Sequence, residues 1–244
     1  MGIFLLLVSE TIQTSTWQMP IVTTSTCSNN EVIPAGRSPI IAWYFQNNLL
    51  DRFGVYNGSG RNNPAYGVGR NGCGKCLNLN MSLNQSVVVS ATPYIDLRNI
   101  SFSVESWINP TAVTDGLEHV IFGQCPALSN DQCMRSSIAN PGVVYLLFRS
   151  DNQGGSHIIP NNTWSHVAYV YNLTARTMSL YLNGTLEGSG GNHGPFQGVP
   201  SAFEIGTIGI YTSSSLFFSG CIDEVSFYPF ARTAAEIAAT FALG

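Results

Sequence analysis

NTWSHVAYVYNLTARTMSLYLNGTLEGS, Asn162 to Ser189, contains two short apolar-rich runs with a polar break between them. WSHVAYVYNL and MSLYLNG each read as a strand, and the intervening TART is a hairpin connection. Asn183-Gly184 then supplies the residue pair that a tight turn prefers. The pattern extends in both directions as IIAWYF, HVIFG, VVYLLFRS, AFEIGTIGIY and LFFSGCIDEVSFY, with Gly, Asn, Pro or Ser in nearly every gap. SFSVESWINP alternates, with Phe102, Val104, Ser106 and Ile108 on one face and Ser103, Glu105 and Trp107 on the other. Only the end of the chain reads as a helix. Thr233 and Glu236 form a capping box that opens AAEIAATF, and Ile237 and Phe241 give it a small apolar stripe. The expected fold is all-β, a two-sheet antiparallel sandwich of about ten or more strands closed by a short helix.

Composition narrows the function classes. The chain has 244 residues, 44% of them hydrophobic, enough for one large β domain with a packed core. Only 10% are charged, Lys75 is the single lysine, and the net charge is −4. No basic cluster offers a footprint for nucleic acid or anionic lipid. Six cysteines form an even set. Seven sequons fall at Asn57, Asn80, Asn84, Asn99, Asn161, Asn172 and Asn183, where chance gives about four. Together these features point to an oxidising, glycosylating compartment, hence an extracellular, secreted or cell-surface protein. Residues 1–37 read as a segment apart. Ile3 to Val8 is a short apolar stretch, a weak signal or the remnant of a truncated anchor, and a Ser/Thr-rich linker follows. A membrane association is expected only through that anchor. Residues 38–244 form the domain.

FSVESWINP, NTWSHVAYVYN, MSLYLNGTLEGS, FEIGTIG and FSGCIDEVSFYPFARTAAEI follow one another in an order that resembles the laminin-G-like jelly rolls of the concanavalin A-like lectin/glucanase group. The resemblance runs from about Ile40 to Leu243. It implies a jelly roll used for adhesion or ligand binding, with a glycan or an extracellular protein as partner and, in some members, Ca2+ at the rim. Cys76 stands where the family has Ala and Cys221 at a variable position. The strands concerned lie close together in such jelly rolls, which implies a Cys76–Cys221 bridge. Cys125 and Cys133 bracket PALSNDQ as a local staple, leaving Cys27 with Cys73.

The acid pair Asp223-Glu224 tests for catalysis. Glycoside hydrolysis needs two carboxyls facing one bond, about 5–5.5 Å or 6.5–9.5 Å apart. Neighbours on a strand point to opposite faces, and the alternating acidic string of the glucanases is absent, so no enzyme is expected. A purely structural module and a carbohydrate-active hydrolase are the alternatives. Asp223 is either a framework carboxylate or, with Asp51 and Asp115, a calcium ligand. The loops DRFGVYNGSG, TDGLEH and GSGGNHGPFQG are the expected rim sites, the last presenting His193 and Phe196 to a ligand. GVGRNGCGKC imitates phosphate-binding loops, but β-like sequence follows where a helix is required. Ser156-His157 adjacency settles nothing about a triad, which is judged in space.

Overall fold

The computed structural model describes residues 38–210 and 216–244. In chain order the strands are β1 (Ile41–Trp43), β2 (Gly58–Arg61), β3 (Ala65–Val68), β4 (Lys75–Leu79), β5 (Ser86–Val89), β6 (Phe102–Pro110), β7 (His119–Gln124) and β8 (Met134–Ala139). There follow β9 (Val143–Leu147), β10 (Asn152–Gly154), β11 (Ser165–Asn172), β12 (Thr177–Leu182), β13 (Thr185–Gly190), β14 (Phe203–Ile205), β15 (Gly220–Tyr228) and the helix α1 (Ala234–Leu243). They form two antiparallel sheets. One has eight strands, ordered β13-β12-β11-β6-β15-β4-β3 with β1 also on β15, and the other has seven, β10-β9-β8-β7-β14-β5-β2. This is the jelly-roll sandwich expected.

The hairpin of Asn162–Ser189 forms as read, with Val167 opposite Leu182 and Asn172 opposite Thr177. Asn183 and Gly184 take φ of 49° and 75°, the left-handed pair of a tight hairpin turn. A Cβ on Gly184 would also stand 3.1 Å from the Phe241 ring. Gly184→Ala should therefore cost about 1–2 kcal/mol in a urea titration. An unchanged midpoint would mean that the turn relaxes freely.

Along β6 the expected alternation holds. Phe102, Val104 and Ile108 enter the inter-sheet core with Phe122, Leu146, Tyr169 and Phe203. Ser103, Glu105 and Trp107 face outward, yet all three are buried. The reason is α1. It carries the expected capping box between Thr233 and Glu236, and Ile237 packs on Ala168, Val170 and Tyr181 on the outer face of the eight-stranded sheet. Trp107 stacks on Phe241 at 5.8 Å and meets His166 at 5.2 Å. An aliphatic side chain buried in this way contributes about 1.5–3 kcal/mol.

Antiparallel pairing makes the connections alternate between the two ends of the sandwich. The β5–β6, β7–β8, β9–β10, β11–β12 and β13–β14 connections share one end, called here the upper rim. The β4–β5, β6–β7, β8–β9, β10–β11, β12–β13 and β14–β15 connections share the other. Some runs are shorter than expected. AFEIGTIGIY pairs only over Phe203–Ile205, because Gly206 turns the chain at φ 88°, and VVYLLFRS stops at Leu147, before Arg149 at φ 73°.

Candidate functional site

The three proposed calcium ligands are not brought together. Asp115 belongs to the β6–β7 connection at the lower rim, Asp51 to the β1–β2 connection that enters β2 at the upper end, and Asp223 to the middle of β15. Each has other partners. Asp51 Oδ1 accepts the Ala42 N–H at 2.9 Å, and its Oδ2 accepts those of Val55 and Tyr56 at 3.2 and 3.3 Å. Asp115 Oδ1 accepts from Leu117 N–H at 3.0 Å and lies 3.0 Å from His119 Nε2. Among the described residues no group of three or more His, Cys, Asp or Glu is placed to share a metal ion.

Around Asp223 the simple strand geometry fails. β15 shifts register against β6 between Asp223 and Ser226, and Glu224 takes φ 49°. This bulge breaks the alternation that should have sent the two carboxylates to opposite faces. Asp223 is buried against the sheet, its Oδ1 accepting the Glu224 N–H at 2.9 Å. Burial first, and then the Glu224 charge, push its pKa up to about 8. Glu224 is part-exposed and lies 3.5 Å from Arg70, whose guanidinium covers the Trp107 ring at 4.1 Å. Burial thus favours the protonated form of Asp223, whose cross-strand neighbour is Trp107.

Both assigned disulfides are present: Cys76–Cys221 joins β4 to β15, and Cys125–Cys133 closes the β7–β8 connection. The Cys27–Cys73 pairing involves residue 27, outside the described residues, as does the whole segment 1–37. Ser156, His157 and Glu187 do meet in space. Ser156 Oγ and Glu187 Oε2 both approach the same ring nitrogen, His157 Nδ1, at 3.2 and 2.8 Å. A nucleophile–base–acid relay needs the acid on one nitrogen and the nucleophile on the other, so this cluster is not one.

The GSGGNHGPFQG loop does not present its expected ligand residues. Phe196 is fully buried, packed on Phe148 at 5.4 Å, because the upper end of the core needs an apolar plug. His193 is also buried and acts as a pin. Its Nδ1 lies 2.5 Å from Asp151 Oδ1, while Asp151 Oδ2 accepts the Gly194 N–H at 2.8 Å. Its backbone N–H donates to the Arg176 carbonyl at 3.0 Å. The pin joins the β9–β10, β11–β12 and β13–β14 connections.

Beside the pin stands a residue that sequence reading missed. Asp131 lies in the disulfide-closed loop, held by its N–H to the Phe148 carbonyl and its carbonyl to the Gln197 N–H, at 2.9 and 2.7 Å. Its carboxylate is half-buried over Gly194 and accepts no hydrogen bond from the described residues. Burial, and then the charge of Asp151, raise its pKa. Exposed Arg149 and Arg176 lie on the β9–β10 and β11–β12 connections of the same end, Arg176 Nε donating to the His193 carbonyl at 3.4 Å. A carboxylate that accepts no hydrogen bond from the described residues, on loops fixed by a disulfide and by the Asp151–His193 hydrogen bond, suits a polyhydroxylated ligand, from whose hydroxyls it can accept. Asp131 was hidden because its partners lie far along the chain; only its position inside the Cys125–Cys133 staple hinted at a fixed loop.

Fold and rim together define a jelly-roll module with a prearranged polar end. Residues 83–238 match the laminin-G-3 family of the concanavalin A-like lectin/glucanases superfamily, and the chain belongs to that family. A search of curated proteins gives no match. Among solved structures, domain 4 of an extracellular GH43 arabinanase from Geobacillus stearothermophilus, in complex with arabinotriose, is similar. Its TM-score is 0.62 at 23% identity, covering 81% of this chain and 95% of that one. The binding domain of Paraclostridial Mosquitocidal Protein 1 gives 0.65 at 18% identity, over 82% of this chain and 51% of that one. The botulinum neurotoxin serotype D binding domain gives 0.60 at 17%, over 84% and 50%. This chain spans about half the length of either toxin domain. At these identities the likeness is one of fold.

Proposed function

We propose that the chain is an extracellular, non-catalytic module that binds a glycan at its upper rim, through Asp131 with Arg149 and Arg176. The observation that carries this reading is the half-buried Asp131 carboxylate, which accepts no hydrogen bond from the described residues although its loop is fixed on both sides. Its oxygens reach solvent, so a ligand hydroxyl can take the place of water on them. Two disulfides agree with an extracellular setting, and the similar arabinanase domain holds an oligosaccharide. Among the described residues no helix is long and apolar enough to cross a membrane.

A glycan array probed with the wild-type protein and with Asp131→Asn tests the reading. The wild type should retain neutral oligosaccharides, and Asp131→Asn should weaken retention about tenfold, the worth of one hydrogen bond to a charged group. No retention by the wild type, or equal retention by the variant, would overturn it. Binding in this reading requires no metal. Thermal unfolding in calcium chloride and in EDTA should give one midpoint, since Asp51 and Asp115 are engaged by other partners and Asp223 is buried apart from them. A calcium-dependent rise would contradict that.

A further inference from the structure

The sequons are not spread evenly with respect to the upper rim. Asn80, Asn84, Asn161 and Asn183 lie in lower-rim connections, and Asn57, just before β2, is at the upper end but on the edge of its sheet opposite β10. Asn99 and Asn172 border the proposed site. The Asn99 N–H donates to the Phe196 carbonyl at 3.0 Å, within the loop that carries His193 and Gly194. Asn172 is the last residue of β11 and opens the turn that ends at Arg176. The two sequons also touch. Ser101 Oγ, the hydroxyl of the first, accepts the N–H of Leu173, the middle residue of the second, at 2.9 Å.

Both acceptor amides suit modification. Asn99 is exposed, and Asn172 Oδ1 accepts the Ala175 N–H at 3.0 Å; neither Nδ2 makes a hydrogen bond within the described residues. Asn84 differs: its Oδ1 and the hydroxyl of its sequon partner Ser86 are buried without a hydrogen bond.

We infer that Asn99 and Asn172 form a coupled pair of N-glycan sites whose sugars screen the upper rim and control access to Asp131. This rests on the rim-binding reading above. At each site the Nδ2–C1 bond forms as the bond from C1 to the pyrophosphate of a lipid-linked oligosaccharide breaks. The amide proton passes to the transferring enzyme's base and the lipid pyrophosphate leaves. Two bulky, solvated chains then rise from adjacent strand ends beside Arg176. A large partner meets a crowded rim, whereas a trimmed rim is open.

The test uses the full chain secreted from cultured animal cells with high-mannose glycans, before and after native trimming by an endoglycosidase. Peptide mass spectrometry should find both Asn99 and Asn172 occupied. Trypsin, used as a bulky probe, should cut the native protein after Arg149 and Arg176 about tenfold faster once the glycans are trimmed, since exposed loop tips are where native chains are nicked. Thr174→Ala, which removes the Asn172 sequon and leaves that asparagine in place, should give part of the increase. Thr163→Ala and Thr185→Ala, at the lower rim, should give none. Unoccupied sites, or equal cleavage rates before and after trimming, would overturn the inference. If trimming accelerates cleavage but the trimmed protein retains no oligosaccharide, the screen stands and the glycan-binding reading falls.

Discussion

Arg232→Ala is expected to destabilise the domain by about 3–5 kcal/mol. Arg232 lies buried between β6 and α1. It donates to Glu105 through Nη1, to Thr240 Oγ1 and to the Glu236 carbonyl, the last two at 2.9 Å, and its guanidinium covers Tyr228 at 4.4 Å. Its backbone N–H reaches Ser103 Oγ, so one residue holds the helix to the sheet. Removing it strands Glu105, whose Oε2 lies 3.4 Å from His166, as an uncompensated buried charge. Urea denaturation of the single variant and of Arg232→Met with Glu105→Gln separates the causes. The double variant should recover most of the loss, because it removes the stranded charge. Failure to recover would place the energy in the guanidinium's contacts with Thr240, the Glu236 carbonyl and the Tyr228 ring, since methionine keeps an apolar stem.

Asp223→Asn should act in the opposite direction. In the folded protein its pKa is raised from 3.8 to about 8. A raised acid pKa contributes stability that is complete below the unfolded value and is lost as pH rises to the folded one, here between about 4 and 8. The isosteric amide cannot ionise in the unfolded chain and keeps an acceptor for the Glu224 N–H. Relative to wild type it should therefore stabilise the domain increasingly from pH 4 to 8, reaching at most about 5 kcal/mol. The difference between the two proteins isolates this group from histidine titration over the same range. A flat difference would show that Asp223 is ionised at neutral pH.

The sequence disclosed the parts of the fold that rest on local rules. The Ser165–Leu182 hairpin follows from alternation and turn chemistry, and α1 from a capping box written within four residues. Cys76–Cys221 was available only through the family resemblance, since those cysteines are 145 residues apart. What stayed hidden depends on tertiary pairing. The bulge at Glu224 exists because β15 must fit β6, and no residue type near Asp223 announces it. The partner of Glu105 could not be read locally because Arg232 lies 127 positions away. His193 and Phe196 sit in a glycine-rich stretch that reads as mobile, but the open end of the core demands a plug and a pin. Asp131 and Asp151 come to the same end only through the pairing of β7, β8, β9 and β10.

Amide-shift mapping by NMR tests the central claim most directly. Isotope-labelled protein, produced without glycans, would be titrated with arabinotriose, xylotriose, cellotriose and laminaritriose in turn. The account predicts that at least one sugar shifts resonances clustered at Asp131, Asp151, Arg176 and Gly194, and that Asp131→Asn weakens the response. Shifts confined to the lower rim or to the outer sheet faces, or none with any sugar, would contradict it.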